Sequence, residues 1–222
     1  MKITIFLILS LMFSNIVMAV NEPIINMGKI FSNIFIGVEE PEFNLISKED
    51  SFEIRQYAPK ILAQVSVTGN FNEASSEGFK ALADFIFGNN ISIQGDTKID
   101  MTAPVEMVPK SDKIEMTAPI ITEGKNNEWI VSFVMPKEYS LNTLPKPNNK
   151  NINIITLPIE KYAVIVFSGL VRASNYNEQV KLLFEFIKEK KLTTTGSVKI
   201  ARYNPPWTLP FFRRNELMIK IN

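Results

Sequence analysis

Alternating apolar and polar positions predict antiparallel strands through the middle of the chain. Ala63, Val65 and Val67 alternate with polar neighbours, the pattern of a strand with one buried face. Tyr162–Phe167 is apolar throughout, which predicts a strand buried on both faces. Further strands are predicted at 91–93, 102–108, 114–121, 129–135, 198–203 and 217–221.

Two segments have apolar residues at helical spacing, and each follows a predicted strand. In the first, which ends near Gly88, these residues are Phe79, Leu82, Ala83 and Ile86. The second spans 176–187 and is followed by lysines, whose charge suits the carboxyl end of a helix. A shorter amphipathic helix is predicted at 24–35.

An internal repeat at an offset of 100 residues relates 52–69 to 152–169. In each copy a short strand meets a turn containing Pro59 or Pro158, and a second strand ends at glycine. A helix and further strands follow each copy. The chain therefore reads as one α+β domain with a largely antiparallel sheet.

The predicted domain spans 49–222 and consists of halves 52–143 and 151–222, joined by a polar, proline-containing connection. Residues 20–48 form a lead-in that contains the short helix. Before it, Lys2 and an apolar run of 17 residues are typical of a signal peptide at 1–19. We expect export to the periplasm. The alternative is a membrane anchor, for which the run is short.

The composition excludes several kinds of site. The 222 residues include no cysteine and no histidine, which rules out thiolate chemistry, disulfides and histidine ligation. A net charge of +1 gives no bulk attraction for nucleic acid or acidic lipid, and we expect neither as a partner unless an uncleaved N-terminal segment contacts a membrane.

No common catalytic fingerprint is present, so we predict that the chain is not an enzyme. A hydrolase that uses carboxylates alone is a minor alternative. Its candidate pairs are Glu106 with Glu115, and Asp100 with Glu115.

The phrase M-T-A-P occurs twice, at Met101–Pro104 and Met116–Pro119. Proline lacks the N–H that a central ladder needs, so each copy is predicted at a strand edge or bulge. Met101 and Met116 are candidates for lining a ligand pocket, although methionine at such positions more often fills a core.

Several phrases in order resemble the SOUL haem-binding protein family, in its exported bacterial branch. The resemblance covers roughly 39–222. It rests on the two M-T-A-P copies and on EEPEF at 39–43, FEIRQY at 52–57, FVMPKEYSLNTLPKPN at 133–148, KYAVIVFSG at 161–169 and ARYNPPW…RRNELMI at 201–219.

This resemblance implies a pseudo-two-fold α+β fold, with two antiparallel four-stranded halves in a distorted β-barrel and two long helices outside. It implies non-covalent binding of haem or a related tetrapyrrole, without catalysis, and we expect a monomer. It also implies a haem surface on the first long helix, which places Phe79, Leu82 and Ala83 among the cofactor-binding candidates.

The segment 203–216 provides a second candidate haem site. Trp207, with Phe211 and Phe212, offers an aromatic edge to a macrocycle, and Arg213 and Arg214 are candidates for pairing with the propionates. The alternative is that an arginine pairs with Glu216 and that Trp207 plugs the end of the barrel.

Axial ligation of the iron by histidine is excluded. The remaining candidates are Met101, Met107, Met116, Met135, Tyr57, Tyr162 and Tyr203, and the sequence favours none of them. A second hypothesis for the whole chain therefore stays open, in which the same fold binds another hydrophobic ligand or a protein partner and does not use haem.

Overall fold

The computed structural model describes residues 38–92, 95, 97–110 and 127–222. The predicted signal peptide, the lead-in helix at 24–35, the predicted strand at 114–121 and the second M-T-A-P copy with Met116 lie outside the described residues. None of the helices in these ranges has both the length and the hydropathy that a bilayer span requires.

Eleven strands and two long helices form the described part of the fold. The strands are β1 (Phe43–Glu49), β2 (Phe52–Tyr57), β3 (Lys60–Gly69), β4 (Asn90–Ile91), β5 (Val105–Pro109), β6 (Asn127–Val134), β7 (Lys146–Pro147), β8 (Ile152–Leu157), β9 (Glu160–Phe167), β10 (Thr194–Arg202) and β11 (Asn215–Ile221). The helices are α1 (Phe71–Ile86) and α2 (Ala173–Glu189), and a short 3-10 helix spans Pro210–Phe212.

The α+β class and the antiparallel sheet are confirmed, and most predicted elements appear with shifted ends. One shift has a clear cause in the first M-T-A-P copy, where β5 begins at Val105 rather than at the predicted 102. The Thr102 hydroxyl donates to the Val134 carbonyl at 2.5 Å, and the Ala103 amide donates to the Glu39 carbonyl at 2.9 Å. Pro104 has no amide to donate, so ladder pairing starts after it.

Nine of the strands form one sheet, in the order β1-β2-β9-β11-β10-β5-β6-β3-β8. The pairing is antiparallel and mixes the two predicted halves, because β2 pairs with β9 and β3 pairs with β8. Six strand intervals separate β2 from β3 in this order, and six also separate β9 from β8.

Short connections force this sheet to curl. Six intervals amount to about 29 Å in a flat sheet. The Ala58–Pro59 link between β2 and β3 spans at most about 11 Å, and Pro158–Ile159 imposes the same limit between β8 and β9. Among the described strands the order stays open, with β1 and β8 at its edges, so the expected closed barrel is not found there.

One face of the sheet carries both helices and the larger core. Helix α1 packs on β3 and β6, and α2 packs on β9 and β11. Fully buried side chains of this core include Leu82 and Phe85 from α1 and Leu183 from α2. The strand β9 is buried on both faces, as predicted, with no residue of Tyr162–Phe167 more than 8% exposed.

The opposite face, called here the inner face, is enclosed by the curl of the sheet. Its apolar cluster includes Tyr57, Tyr162, Tyr203 and Met218, with Phe43 packed against it. The curl brings β2 and β3 together on this side, where the Lys60 ammonium lies 4.9 Å from the centre of the Tyr57 ring.

The two helices start differently. Helix α1 has a capping box, in which the Asn70 side chain accepts from the Glu73 amide and the Glu73 side chain accepts from the Asn70 amide. Helix α2 has Arg172 at its N-cap, with no side-chain cap and no acidic residue in its first turn. This start leaves the positive end of α2 uncompensated by its own residues.

Candidate functional site

The inner face holds a buried charged cluster centred on Glu216, which is 0% exposed. Arg55 donates to both Glu216 carboxylate oxygens at 2.8 and 3.0 Å, and Arg214 donates to Oε1 from Nη2 and Nε at 2.6 and 2.9 Å. The Tyr203 hydroxyl donates to Oε2 at 2.8 Å. We call these residues the Glu216 network.

Charge pairing within the Glu216 network outweighs the cost of burial. Burial opposes ionisation of Glu216, but Arg214 and Arg55 reverse this effect and lower its pKa to about 2. Burial likewise disfavours the charged form of Arg214, yet Glu216 raises its pKa above the ordinary value. Glu216, Arg55 and Arg214 are therefore all ionised at neutral pH, while the Tyr203 hydroxyl, whose pKa burial raises, stays protonated.

The network extends to the segment before β1. The remaining Arg214 nitrogen, Nη1, donates to both Glu40 carboxylate oxygens at 3.0 and 2.9 Å, and the guanidinium lies 3.8 Å from the centre of the Tyr203 ring. All three Arg214 nitrogens are thus engaged. The alternative in which an arginine pairs with Glu216 is therefore observed, and it removes Arg214 from the groups that face a ligand.

A second buried carboxylate, Glu106, lies on the same inner face. It accepts from Lys60 at 2.7 Å and from Lys199 at 3.0 Å. Burial opposes its ionisation, but Lys199 and Lys60 together lower its pKa to about 2. Each of these carboxylates is neutralised by its neighbours, which indicates a structural role for the inner face.

The three haem-binding candidates on α1 differ in how far they are buried. Leu82 is 0% exposed and belongs to the larger core, and Ala83 is 9% exposed. Phe79 is 38% exposed and makes an edge contact with Phe133, with ring centres 5.4 Å apart. Of these three residues, only Phe79 is therefore accessible to a ligand on this side of α1.

The axial candidates within the described residues are mostly enclosed. Met107, Met135 and the three tyrosines are less than 10% exposed, and Met101 is half-buried against the core. The Tyr162 hydroxyl donates to Glu160 at 2.6 Å, and the Tyr57 hydroxyl accepts from Arg55 at 2.9 Å. The exposed surface of the protein therefore offers none of these tyrosine hydroxyls to an iron.

The loop at 204–212, called here the aromatic loop, presents an apolar surface. Trp207 is 82% exposed, Leu209 is 55% exposed and Phe211 is 59% exposed. The rings of Phe211 and Phe212 lie 4.4 Å apart. With most of its side chain in solvent, Trp207 does not plug the end of the sheet.

Arg213 lies along the inside of the aromatic loop. Its Nε donates to the Thr208 carbonyl at 2.7 Å, and its Nη2 donates to the Pro206 carbonyl. These neutral partners fix the guanidinium without cancelling its charge. The structure therefore places Trp207 and Arg213 together in the connection between β10 and β11.

A cavity of about 230 Å³ lies beside the aromatic loop, between the starts of α1 and α2. We call it the arginine cavity, because Arg172, Arg202 and Arg213 line it. The other lining residues are Asn72, Gly169, Leu170, Val171, Asn204 and Asn215. None of these nine residues carries a carboxylate.

Sequence reasoning missed Arg172 and Arg202. Arg202 ends β10, far along the chain from Arg172 at the start of α2, and only the fold brings them together. The sequence held no signal for Arg172, because Ser174 and Asn175 lie directly before the predicted helix at 176–187 and are residue types that normally begin a helix.

A second cavity, of about 210 Å³, lies where the segment 39–42 crosses the ends of β3 and β6. Its charged groups are already paired, since Lys137 donates to Glu39 from its amide at 2.8 Å and to Glu42 from its ammonium at 2.9 Å. Across the described ranges, no three acidic side chains are grouped so that they could hold a metal ion.

Comparison with known proteins identifies one family. The profile of the SOUL heme-binding protein family matches residues 38–220, nearly the whole described chain. No curated protein matches the sequence.

Solved structures with similar folds share little sequence with this chain. The C-terminal domain of EcmrR has a TM-score of 0.56 at 10% identity, over 77% of this chain and 96% of that one. An uncharacterized conserved protein from Listeria innocua has a TM-score of 0.54 at 10% identity, over 88% and 98%. A hydrolase from Listeria innocua has a TM-score of 0.51, also at 10% identity and over the same shares. At such identities the likeness shows the fold alone.

Proposed function

This chain belongs to the SOUL heme-binding protein family, and we propose that it binds haem or a related tetrapyrrole non-covalently at the aromatic loop. The family supports a general haem-binding role. The observation that carries the site is the grouping of three exposed apolar side chains, Trp207, Leu209 and Phe211, beside the Arg213 guanidinium.

These residues suit the chemistry of the ligand. Haem combines a flat apolar macrocycle with carboxylates on one edge. Exposed aromatic side chains provide apolar area that becomes buried when a ring stacks on them. Arginine donates paired hydrogen bonds to a carboxylate. When bound, the iron would supply the redox or ligand chemistry, while the chain supplies the apolar surface and the charge.

The proposal includes the expected setting of the protein. We propose that it acts as an exported, monomeric carrier without catalysis, since the family is described by binding and the chain lacks histidine and cysteine. A mature N-terminus at Val20 in the extracytoplasmic fraction is the expected observation. An intact N-terminus in the membrane fraction would instead favour the anchor.

We also propose that the two halves are related by a pseudo-two-fold axis, as in the distorted barrel that the resemblance implies. The strand order supports this. The equivalent strands of the two halves are β2 and β8, β3 and β9, β5 and β10, and β6 and β11. Exchanging them turns the order β2-β9-β11-β10, read from one side of the sheet, into β8-β3-β6-β5, read from the other side. An experimental structure that includes 111–126 would test both the axis and the closure.

The exposed apolar loop also supports a second candidate function. The same three side chains would serve a hydrophobic ligand or a protein partner, and such an occupant needs no axial ligand. In that case the affinity depends on Trp207 and Phe211 but not on the Arg213 charge.

A haemin titration of the purified chain tests the proposal. We expect a saturable Soret shift near one equivalent. Phe211→Ala, Leu209→Ala and Arg213→Ala should each weaken it about tenfold, or roughly 1.4 kcal/mol, because each removes a direct contact. Arg214→Ala is unsuitable, since it breaks the Glu216 network.

Matched controls come from equally exposed residues elsewhere. Phe87 is 64% exposed and Leu141 is 58% exposed, so Phe87→Ala and Leu141→Ala remove the same side chains outside the aromatic loop. They should leave the titration unchanged. Equal weakening by controls and loop variants, or no Soret shift beyond that of an unrelated protein, would refute the site.

A further inference from the structure

Three arginine residues from separate parts of the chain line the arginine cavity. Arg202 is half-buried at the end of β10, and its Nη1 donates to the neutral Ser75 hydroxyl at 2.9 Å. Arg213 donates to backbone carbonyls. Within the part of the chain that the structure describes, no ion pair joins Arg172, Arg202 or Arg213 to a carboxylate.

This excess of positive charge distinguishes the cavity from the other arginine sites of the protein. Arg55 and Arg214 are buried against carboxylates, and Glu216 raises the pKa of each. Arg202 shows the opposite behaviour, because burial and the neighbouring Arg213 lower its pKa. The positive charge of Arg202 is therefore not neutralised by any carboxylate of the described residues.

The start of α2 adds to the positive field. Its first turn has free backbone amides, no side-chain cap and no acidic residue, and its N-cap residue Arg172 lines the cavity. A cation at the positive end of a helix is unfavourable unless an anion accompanies it. The three lining arginines and the free amides of this helix start, which share Arg172, thus favour negative charge at the same place.

We propose that the arginine cavity binds an oxyanion, the phosphate or carboxylate group of a small ligand. Planar guanidinium groups match both chemistries with paired hydrogen bonds. A water occupies roughly 30 Å³ of liquid volume. The cavity of about 230 Å³ therefore has room for an oxyanion with some of its hydration shell.

This inference goes beyond the proposed haem site, because it requires only the cavity. Two sources of the oxyanion are distinguishable. One is a free phosphate-type ligand, and the other is the propionate edge of a tetrapyrrole bound on the adjacent aromatic loop.

The experiment titrates the full chain with inorganic phosphate at constant ionic strength, using calorimetry or backbone amide shifts. We expect saturable binding that perturbs the amides of Ala173–Asn175. Arg202→Gln should weaken it about tenfold or more, as expected when one charge-assisted contact is lost. Lys181→Gln is the matched control, because Lys181 is 76% exposed on α2 and lies outside the cavity.

Haemin and its dimethyl ester separate the two sources. If phosphate competes with haemin but not with the ester, the cavity takes the propionates. If phosphate binds and leaves haemin unaffected, the cavity serves a separate phosphate-bearing ligand. The inference is overturned if phosphate does not bind and Arg202→Gln leaves haemin binding unchanged, or if Lys181→Gln weakens binding as much as Arg202→Gln. Failure of haemin to bind at all leaves the phosphate result to decide.

Discussion

At the scale of single residues, the protein is distinguished by the charges it buries on the inner face. Glu216 accepts five hydrogen bonds, four from two guanidinium groups and one from a tyrosine hydroxyl. Replacing such a buried pair by apolar groups is often neutral, but removing one member strands the other charges away from water. The stability of the fold therefore depends more on the charge of Glu216 than on the volume of its side chain.

We predict that Glu216→Gln lowers the free energy of unfolding by about 3–5 kcal/mol, because Arg55 and Arg214 then lose their shared counter-charge. Urea denaturation measures this change. Glu128→Gln is the control, since the Glu128–Lys110 pair is exposed and should contribute about 0–1 kcal/mol. Equal effects of the two substitutions would contradict the assignment.

The two buried carboxylates of the inner face make the native state sensitive to acid. The pKa values of Glu216 and Glu106 are lowered from 4.5 to about 2. A carboxylate with a lowered pKa stabilises the fold above its unfolded value, and this contribution is lost as the pH falls through its folded value. Stability should therefore fall between about pH 5 and pH 2. Glu216→Gln should show a shallower fall, because it removes one of the two groups.

At the scale of elements, the packing of α1 depends on a close approach to the sheet. Gly78 is buried in the middle of α1 and faces Val131 on β6. A β-carbon built at Gly78 would lie 2.6 Å from the β-carbon of Val131. The glycine is therefore needed for helix-to-sheet contact and not for backbone freedom.

We predict that Gly78→Ala destabilises the protein by about 1–3 kcal/mol through overpacking, despite the helix propensity of alanine. Chemical denaturation gives the value. The double variant Gly78→Ala with Val131→Ala should be more stable than the sum of the single effects, because the clash is removed. Ser76→Ala, on the exposed side of α1, is expected to change stability by less than about 0.5 kcal/mol. A stabilising Gly78→Ala would show that the helix stands farther from β6.

At the scale of the whole molecule, the curl of the sheet ties the two halves of the sequence together. The strand β2 of the first half pairs with β9 of the second, and β3 pairs with β8. Each of β2, β3, β8 and β9 would lose a partner strand if the other half were absent. The segment 38–42 adds a further tie, because Glu40 pairs with Arg214 near the opposite end of the chain.

We therefore predict a single cooperative unfolding transition. Trp129 is 2% exposed, so Trp207→Phe leaves one buried tryptophan as a reporter of the sheet. Its fluorescence and the far-UV circular dichroism should change at the same urea concentration. Two separate midpoints would show that the halves unfold independently.

The sequence by itself determined the strand and helix pattern, the α+β class and the family. These features depend on local periodicity and on short motifs in a fixed order, and both can be read from the sequence alone. The buried strand β9, the repeat around Pro59 and Pro158, and the end of α1 near Gly88 were all legible in this way. Pro104 of the first M-T-A-P copy was recognisable as a limit on ladder pairing, but the strand predicted there began at 102, three residues before β5.

Only the tertiary structure decided which charges are paired and which are free. Arg213 and Arg214 are neighbours in sequence, yet alternation in and before β11 sends Arg214 to the Glu216 network and leaves Arg213 at the arginine cavity. Arg172 and Arg202 join that cavity because β9, β11 and β10 are neighbouring strands, and Asn215 of β11 pairs with both Phe167 of β9 and Arg202 of β10. Such assignments depend on contacts between distant segments, and a linear pattern contains no distances between them.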